Sequence, residues 1–344
     1  MGIRSRALPR HILVVRLSAM GDVAMLPHAI GALKTAYPDV KVTVATREMF
    51  RPFFEGLDVG FMPVEVRREH HGIKGLLALS RDIRTMGIDA FADAHHVLRS
   101  FFVRAVLWLH GVRTARITKD HFQKWYRVKH AHSNNNLLKH TVTRYCDVFR
   151  KFGFVFDDPQ PPVKKERPNP MGPKNGIWVG FAPFSAHKGK TYPEDLSREV
   201  VRMLSERYDR VFIHGGGGGE ARFAAEMEAE YPNVTAMYGK SGGFGEEMNL
   251  ISNLDCVVSM DSLVMHLASL TATPVVSVWG ATHPKMGFFG YGCDPEGILQ
   301  ADMKCRPCST YGNTKCKYGD YRCIHTVTPL MIVERVERII AKNG

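Results

Sequence analysis

Short, nearly continuous apolar runs alternate along this chain with stretches whose apolar positions recur every three or four residues. The first pattern marks strands buried on both faces of a parallel sheet, and the second marks the helices that cover it. It is clearest over Asn253–Ala281. Cys256–Ser259 is an apolar run of strand length. Asp261 and Ser262, both good capping residues, come just before the apolar run Leu263–Leu270. Thr273-Pro274 stops that helix ahead of a second buried run, Val275–Trp279. The pattern predicts strand, polar turn, helix, strand, with the turn at the carboxyl end of its strand, where open parallel sheets bind ligands.

The same alternation opens the chain. Ile12–Leu17 predicts a strand, Ser18–Asp22 a loop, Val23–Tyr37 a helix and Val40–Ala45 the next strand. With one glycine in the loop, this is not the G-x-G-x-x-G dinucleotide fingerprint. Helices over Gly72–Met86, Ser100–His110 and Leu138–Phe152 and strands over Ala90–Ala94 and Ala115–Ile117 complete a first domain, residues 1–156. Six of the 19 prolines fall in Phe156–Gly176, which has no apolar periodicity and predicts a linker over 157–176. A second domain, 177–328, follows: strands at Trp178–Ala182 and Val211–His214, and helices from Pro193, over Ala221–Glu230 and over Phe244–Ser252. A final helix, centred on Ile332–Ile340, occupies 329–344. The fold class is α/β, built as two doubly wound domains.

Charge changes this picture. Residues 1–167 hold 28 Lys and Arg against 15 Asp and Glu, whereas 168–344 hold 18 against 19. A basic half beside a neutral one implies a large anionic partner: nucleic acid, a membrane surface or a phosphorylated substrate. No apolar run approaches the roughly 20 residues that span a bilayer. The apolar run Ile12–Val15 ends at Arg16, short of the about 7–15 residues of a secretory signal, so a cytoplasmic protein is expected.

Candidate chemistry collects at the strand ends. Asp22 is either a helix cap or a general base. The helix start after Asp261 and Ser262 favours an anion, and His266, four residues beyond Ser262, either leans over that anion or is a core histidine. The five glycines Gly215–Gly219 either admit a ligand closely or form a flexible turn, and Glu220 follows them. Lys119–Asn136 interleaves cations and histidines with Phe122, Trp125 and Tyr126, which suits phosphate and sugar contact or a solvated loop with buried anchors. Cys305, Cys308, Cys316 and Cys323 have the spacing of a structural zinc clip lying away from the chemistry; reduced, packed cysteines are the alternative.

Together these residues carry a resemblance. R-L-S-A-M-G-D at 16–22, K-T-Y-P at 190–193, G-G-E at 218–220 and M-D-S-x-x-M-H-L-A-S at 260–269 occur in order. P-V-V-S-V-W-G-A-T at 274–282 and C-x-x-C at 305–308 follow. The chain resembles the lipopolysaccharide heptosyltransferases, the ADP-heptose-dependent glycosyltransferase family 9. The resemblance implies a GT-B fold, two Rossmann-like domains facing each other across a cleft, with the acceptor on the first and the nucleotide-sugar on the second. It implies Asp22 as catalytic base, Lys190 on the donor's phosphates, Glu220 near the nucleoside, and Asp261, Ser262 and His266 around the donor phosphate and sugar. Leu263 stands where the family usually has glycine. No metal is implied for catalysis. The donor would be ADP-heptose and the acceptor an anionic Kdo–lipid A type glycolipid at the inner membrane face, with peripheral membrane association. Other readings are a different nucleotide-sugar on the same fold, or a nucleic-acid-binding protein using the basic half. The basic half contains no recognisable nucleic-acid motif.

Overall fold

The computed structural model describes residues 7–65, 68–130 and 137–343. It divides into two compact units. One takes the described residues up to Lys119 together with Thr141–Gln160, and the other takes Asp120–His140 and the chain from Pro161 onward.

The first unit is a five-stranded parallel sheet. Its elements are β1 (His11–Val15), α1 (Met20–Ala36), β2 (Lys41–Thr46), β3 (Gly60–Pro63), α2 (Gly72–Thr85), β4 (Ala90–Asp93), α3 (Leu98–Leu109) and β5 (Arg113–Arg116). After α4 (His121–Lys129), which belongs to the second unit, α5 (Thr141–Arg150) completes it. The strand order is β3-β2-β1-β4-β5, so the chain steps outward from β1 and then returns to lay β4 beside it. Val15 pairs with Ala45 on one side and with Asp93 on the other. The order therefore reverses between β1 and β4, and their carboxyl ends frame a crevice. Right-handed crossovers put α2 and α3 on the same face. There Leu76, Leu79 and Ile83 of α2 and Val103 and Leu107 of α3 share a buried cluster with Leu13, Val15 and Phe91.

The second unit repeats the plan with six parallel strands. Its further elements are β6 (Trp178–Ala182), α6 (Glu194–Ser205), β7 (Arg210–Ile213), α7 (Gly219–Glu230), β8 (Val234–Ala236), α8 (Phe244–Asn253) and β9 (Cys256–Met260). Then come α9 (Leu263–Leu270), β10 (Val275–Trp279), β11 (Ile298–Gln300), α10 (Arg322–His325) and α11 (Pro329–Asn343). The order β11-β10-β9-β6-β7-β8 reverses between β6 and β9, where Ala182 pairs with Ser259.

Two stretches differ from the expectation. The proline-rich 157–176 has no helix or strand, but from Pro161 onward it is tied to the second unit. Arg167 donates to Asn249 Oδ1 (3.1 Å), and the Lys174 ammonium meets Asp255 (2.6 Å). Lys119–Asn136 is not a loop of the first unit. It contains α4, and from Asp120 it packs on the second unit. Lys124, buried, sits 4.8 Å over the Phe288 ring, and Leu138 N donates to Lys285 O (3.0 Å). A helix with Lys124 and Arg127 turned inward reads as polar in sequence, because long cationic stems bury their methylenes. Residues 131–136 of this stretch lie outside the described part.

Candidate active site

Each unit gathers its candidate residues near its own reversal point. In the first, α1 starts at Met20, earlier than the apolar pattern indicates, so Asp22 is the third helical residue and not part of a loop. Its Oδ2 accepts from Ala19 N (3.3 Å), as a cap would, and also meets the Arg16 guanidinium at 2.5 Å. Its side chain nonetheless keeps 26% of its surface exposed. The cap and the exposed carboxylate are thus one group. Arg16 is buried and fixed by donation to Ala94 O (2.7 Å), and the Tyr145 hydroxyl donates to Asp22 O (3.0 Å).

Across the crevice, at the end of β4, the fully buried Asp93 accepts from the backbone N–H of His95 (3.1 Å) and His96 (2.6 Å). His95 Nε2 lies 3.2 Å from Ser18 Oγ. Burial, then Arg16 and Lys119, push the His95 imidazole down to about 3, so it is neutral near pH 7. Burial and Arg16 also lower the Lys119 ammonium. Arg116 donates to His96 Nε2 (2.8 Å), and Arg104 stands 4.0 Å from Asp93. Four cations therefore gather about two carboxylates, Asp22 and Asp93, an excess of positive charge that favours an anion.

In the second unit the loop after β6 supplies Lys190 and the loop after β9 supplies Asp261. They meet at 3.1 Å between carboxylate and ammonium, and Thr282 donates to the same Asp261 oxygen (2.8 Å). Ser185, from the β6 loop, donates to Asp261 O (3.3 Å). Only 9% of the Asp261 side chain is exposed, closed between Lys190 and Thr282. Ser262 is the N-cap of α9 but makes no side-chain cap bond; its hydroxyl is 3.2 Å from Ser259 Oγ. That leaves the first N–H groups of α9 to an anion. His266 is buried one turn into α9. Glu220 opens α7, and its carboxylate accepts from Gly216 N (2.6 Å), closing the glycine run into a compact turn.

The cysteine loop departs from the expectation twice. All four cysteines are free thiols, and among the described residues no group of three or more His, Cys, Asp or Glu side chains is arranged to hold a metal. The residues do not fit a zinc clip. Burial, then the neighbouring thiols, push Cys308 up to about 11 and burial also raises Cys323, whereas backbone donors lower Cys316 against its burial. Nor does the loop lie away from the chemistry. Its organiser is Arg306, buried, which donates to Gly280 O and Ala301 O and to the carbonyls of Trp279 (2.9 Å) and Thr282 (2.8 Å). A Cβ on Gly312 would come within 2.5 Å of Lys190 Cδ, so only glycine lets the loop pass this close to that lysine.

The structure sets Lys190 against Asp261 and shows Asp22, Glu220, Ser262 and His266 at separate turns; sequence reasoning did not single out Arg16 and Thr282, which pair with Asp22 and Asp261, nor His95 and Arg306 beside them. Arg16 and Thr282 stand inside the very motifs that carry the resemblance, whereas His95 and Arg306 had no signal beyond lying near a strand end and between two cysteines.

Known proteins resemble this chain along most of its length. Lipopolysaccharide heptosyltransferase 1 of Escherichia coli K12 is 24% identical over 299 residues, covering 82% of this chain and 91% of that protein. The solved E. coli heptosyltransferase WaaC with ADP-2-deoxy-2-fluoro heptose superposes with a TM-score of 0.65 at 19% identity, over 95% of this chain and 99% of that one. The glycosyl transferase family 9 structure from Veillonella parvula gives 0.74 at 16%, over 97% and 98%. The two parallel sheets with flanking helices are those of the GT-B fold. The family model for glycosyltransferase family 9 (heptosyltransferase) matches residues 76–318, spanning most of the chain and parts of both units, and the chain belongs to that family.

Proposed function

We propose that this enzyme transfers a heptose, with inversion, from ADP-heptose to a hydroxyl of an anionic, lipid-linked lipopolysaccharide core acceptor of the Kdo–lipid A type. The observation that carries this reading is the Asp22 turn: an exposed carboxylate, anchored by Arg16, among more cations than its own charge requires. Asp22 takes the proton of the acceptor hydroxyl as its oxygen attacks the anomeric carbon, and the diphosphate departs from the opposite face. The charge that develops on the diphosphate is met by Lys190 and the N-terminus of α9, so the chemistry runs without a metal. Glu220 and the glycine turn border the nucleoside, and His266 stands behind the sugar. Among the described residues no helix is long and apolar enough to cross a membrane. The enzyme works at the cytoplasmic face, held to anionic lipid by its basic half.

The test is transfer from a panel of nucleotide-sugars to a core acceptor, with and without chelator. Product from ADP-heptose alone, undiminished by chelator, is expected. Transfer only from another nucleotide-sugar would replace the donor, and loss with chelator would overturn the metal-free chemistry.

A further inference from the structure

We propose that the outer faces of α2 and α3 form a docking surface for an anionic lipid bilayer. This rests on the lipid-linked acceptor proposed above and adds the part of the molecule that meets the membrane.

The helix α3 is apolar on both sides. Inward, Val103 and Leu107 join the core. Outward, Leu98, Phe101 and Trp108 recur at intervals of three and seven, one stripe of an α-helix, with Leu109 beside Trp108. Leu98 is 88% exposed, Trp108 65% and Leu109 73%. An apolar stripe this exposed on a helix already packed by its other face is not needed for the fold. α2 lies on the same face of the sheet and shares the same buried cluster. It adds Ile73 and Leu77, also exposed and one turn apart.

The charges around these residues select the occupant. α3 contains no acidic residue, and Arg99 is exposed at its start. Lys74, Arg81 and Arg84 are exposed on α2 against one carboxylate, Asp82. Leucine and tryptophan flanked by lysine and arginine, on helices too short and too charged to insert, make a surface that lies in the headgroup layer of an anionic membrane. A protein partner would bring its own apolar patch but would not require this charge bias.

Position supports the same occupant. α3 starts two residues after His96, at the rim of the crevice that holds Asp22 and His95. A helix of 12 residues is about 18 Å long. A bilayer seated on α3 would present the head of a lipid-linked acceptor beside Asp22 without lifting its acyl chains from the membrane.

Two pairs of exposed residues test this without touching the site: Trp108→Ser with Leu109→Ser, and Ile73→Ser with Leu77→Ser. Unchanged circular dichroism and melting would show that both variants fold. Flotation with vesicles of phosphatidylethanolamine and phosphatidylglycerol should capture the wild type, more weakly in high salt and weakly with neutral phosphatidylcholine. Each double variant should bind about 10-fold or more weakly, because two interfacial anchors are gone. Both should transfer normally to a water-soluble core oligosaccharide. Variants that float like the wild type would overturn the docking surface. So would variants that turn a dimer into a monomer while keeping vesicle binding, since the face would then serve self-association. A wild type that floats but transfers to no acceptor would sink the proposed function and leave the docking surface standing.

Discussion

The two reversal points occupy the same place in two copies of one sheet plan, yet their carboxylates differ in how much solvent they keep. Asp22 has one firm partner, Arg16, and keeps about a quarter of its side chain in solvent. Asp261 is closed between Lys190 and Thr282 and keeps less than a tenth. A carboxylate that must take a proton needs an open face and a partner that orients it without covering it. A carboxylate that must hold a cation ready for a phosphate needs the reverse. The topology supplies the location, and under the proposed mechanism the solvent left at each turn separates a base from a holder of a cation.

The hardest test of this contrast is Asp22→Asn. The amide keeps the shape and the cap but cannot take the proton, so turnover should fall about 10²–10⁴-fold. Donor affinity, measured by calorimetry with ADP, should be unchanged. Near-normal turnover would reduce Asp22 to a helix cap and break the comparison on its first side.

Next in size is Arg306→Met. It strips four carbonyls of a charged donor in a buried position, at a cost of about 3 kcal/mol or more. Thermal melting should drop by several degrees, and donor affinity should fall with it because the loop beside Lys190 loosens. Lost stability with intact donor affinity would show that the cysteine loop is only a brace.

Lys190→Ala should weaken ADP binding about 10–100-fold, the value of a charge-assisted contact to phosphate. Asp261→Asn should weaken it less and mainly through Lys190, so the double variant should be no worse than Lys190→Ala alone. Additive losses would mean that Asp261 meets the ligand directly, and the contrast with Asp22 would fail on its second side.

The last test is one of pH, and it concerns a histidine in each unit. Burial, followed by nearby cations, holds His95 near 3 and His283 near 4, against an ordinary 6.5. The unfolded chain therefore takes up protons first as pH falls below 6.5. Stability present above that pH is lost toward pH 4, by up to about 1.4 kcal/mol per pH unit for each histidine. Melting of His95→Asn and His283→Asn across pH 7.5 to 5 should show a flatter slope than the wild type. An unchanged slope would mean these rings are not the groups resisting protonation.

Much of this was legible in the residues. The run from Cys256 to Trp279 matches its predicted strand, helix and strand nearly residue for residue, because buried parallel strands and a capped helix leave little ambiguity. The edge strands β3, β8 and β11 were not, being three or four residues long and without alternation. α4 was hidden by its own cations, which face inward. Among site residues, the carboxylates and the lysine announce themselves by type at strand ends. Their holders do not: Arg306 looks like one more surface arginine until its four carbonyls come from two separate stretches, 279–282 and Ala301. Cysteine spacing brought the four thiols into one neighbourhood, but not into an arrangement that holds a metal.

The allocation of residues 120–140 to the second unit bears on biosynthesis. The first unit is discontinuous: its sheet is complete by Arg116, but α5, which secures Asp22 through Tyr145, comes only after that excursion. During synthesis from the N-terminus, the first sheet can form while α4 has no docking site, because Lys285 and Phe288 have not yet been made. For roughly 150 residues of elongation, a helix with exposed Phe122, Trp125 and Tyr126 and two unburied cations must wait. The nascent chain is most exposed to chaperones and proteases in that interval, and a fragment cut at the proline-rich stretch would separate α4 from the unit it belongs to.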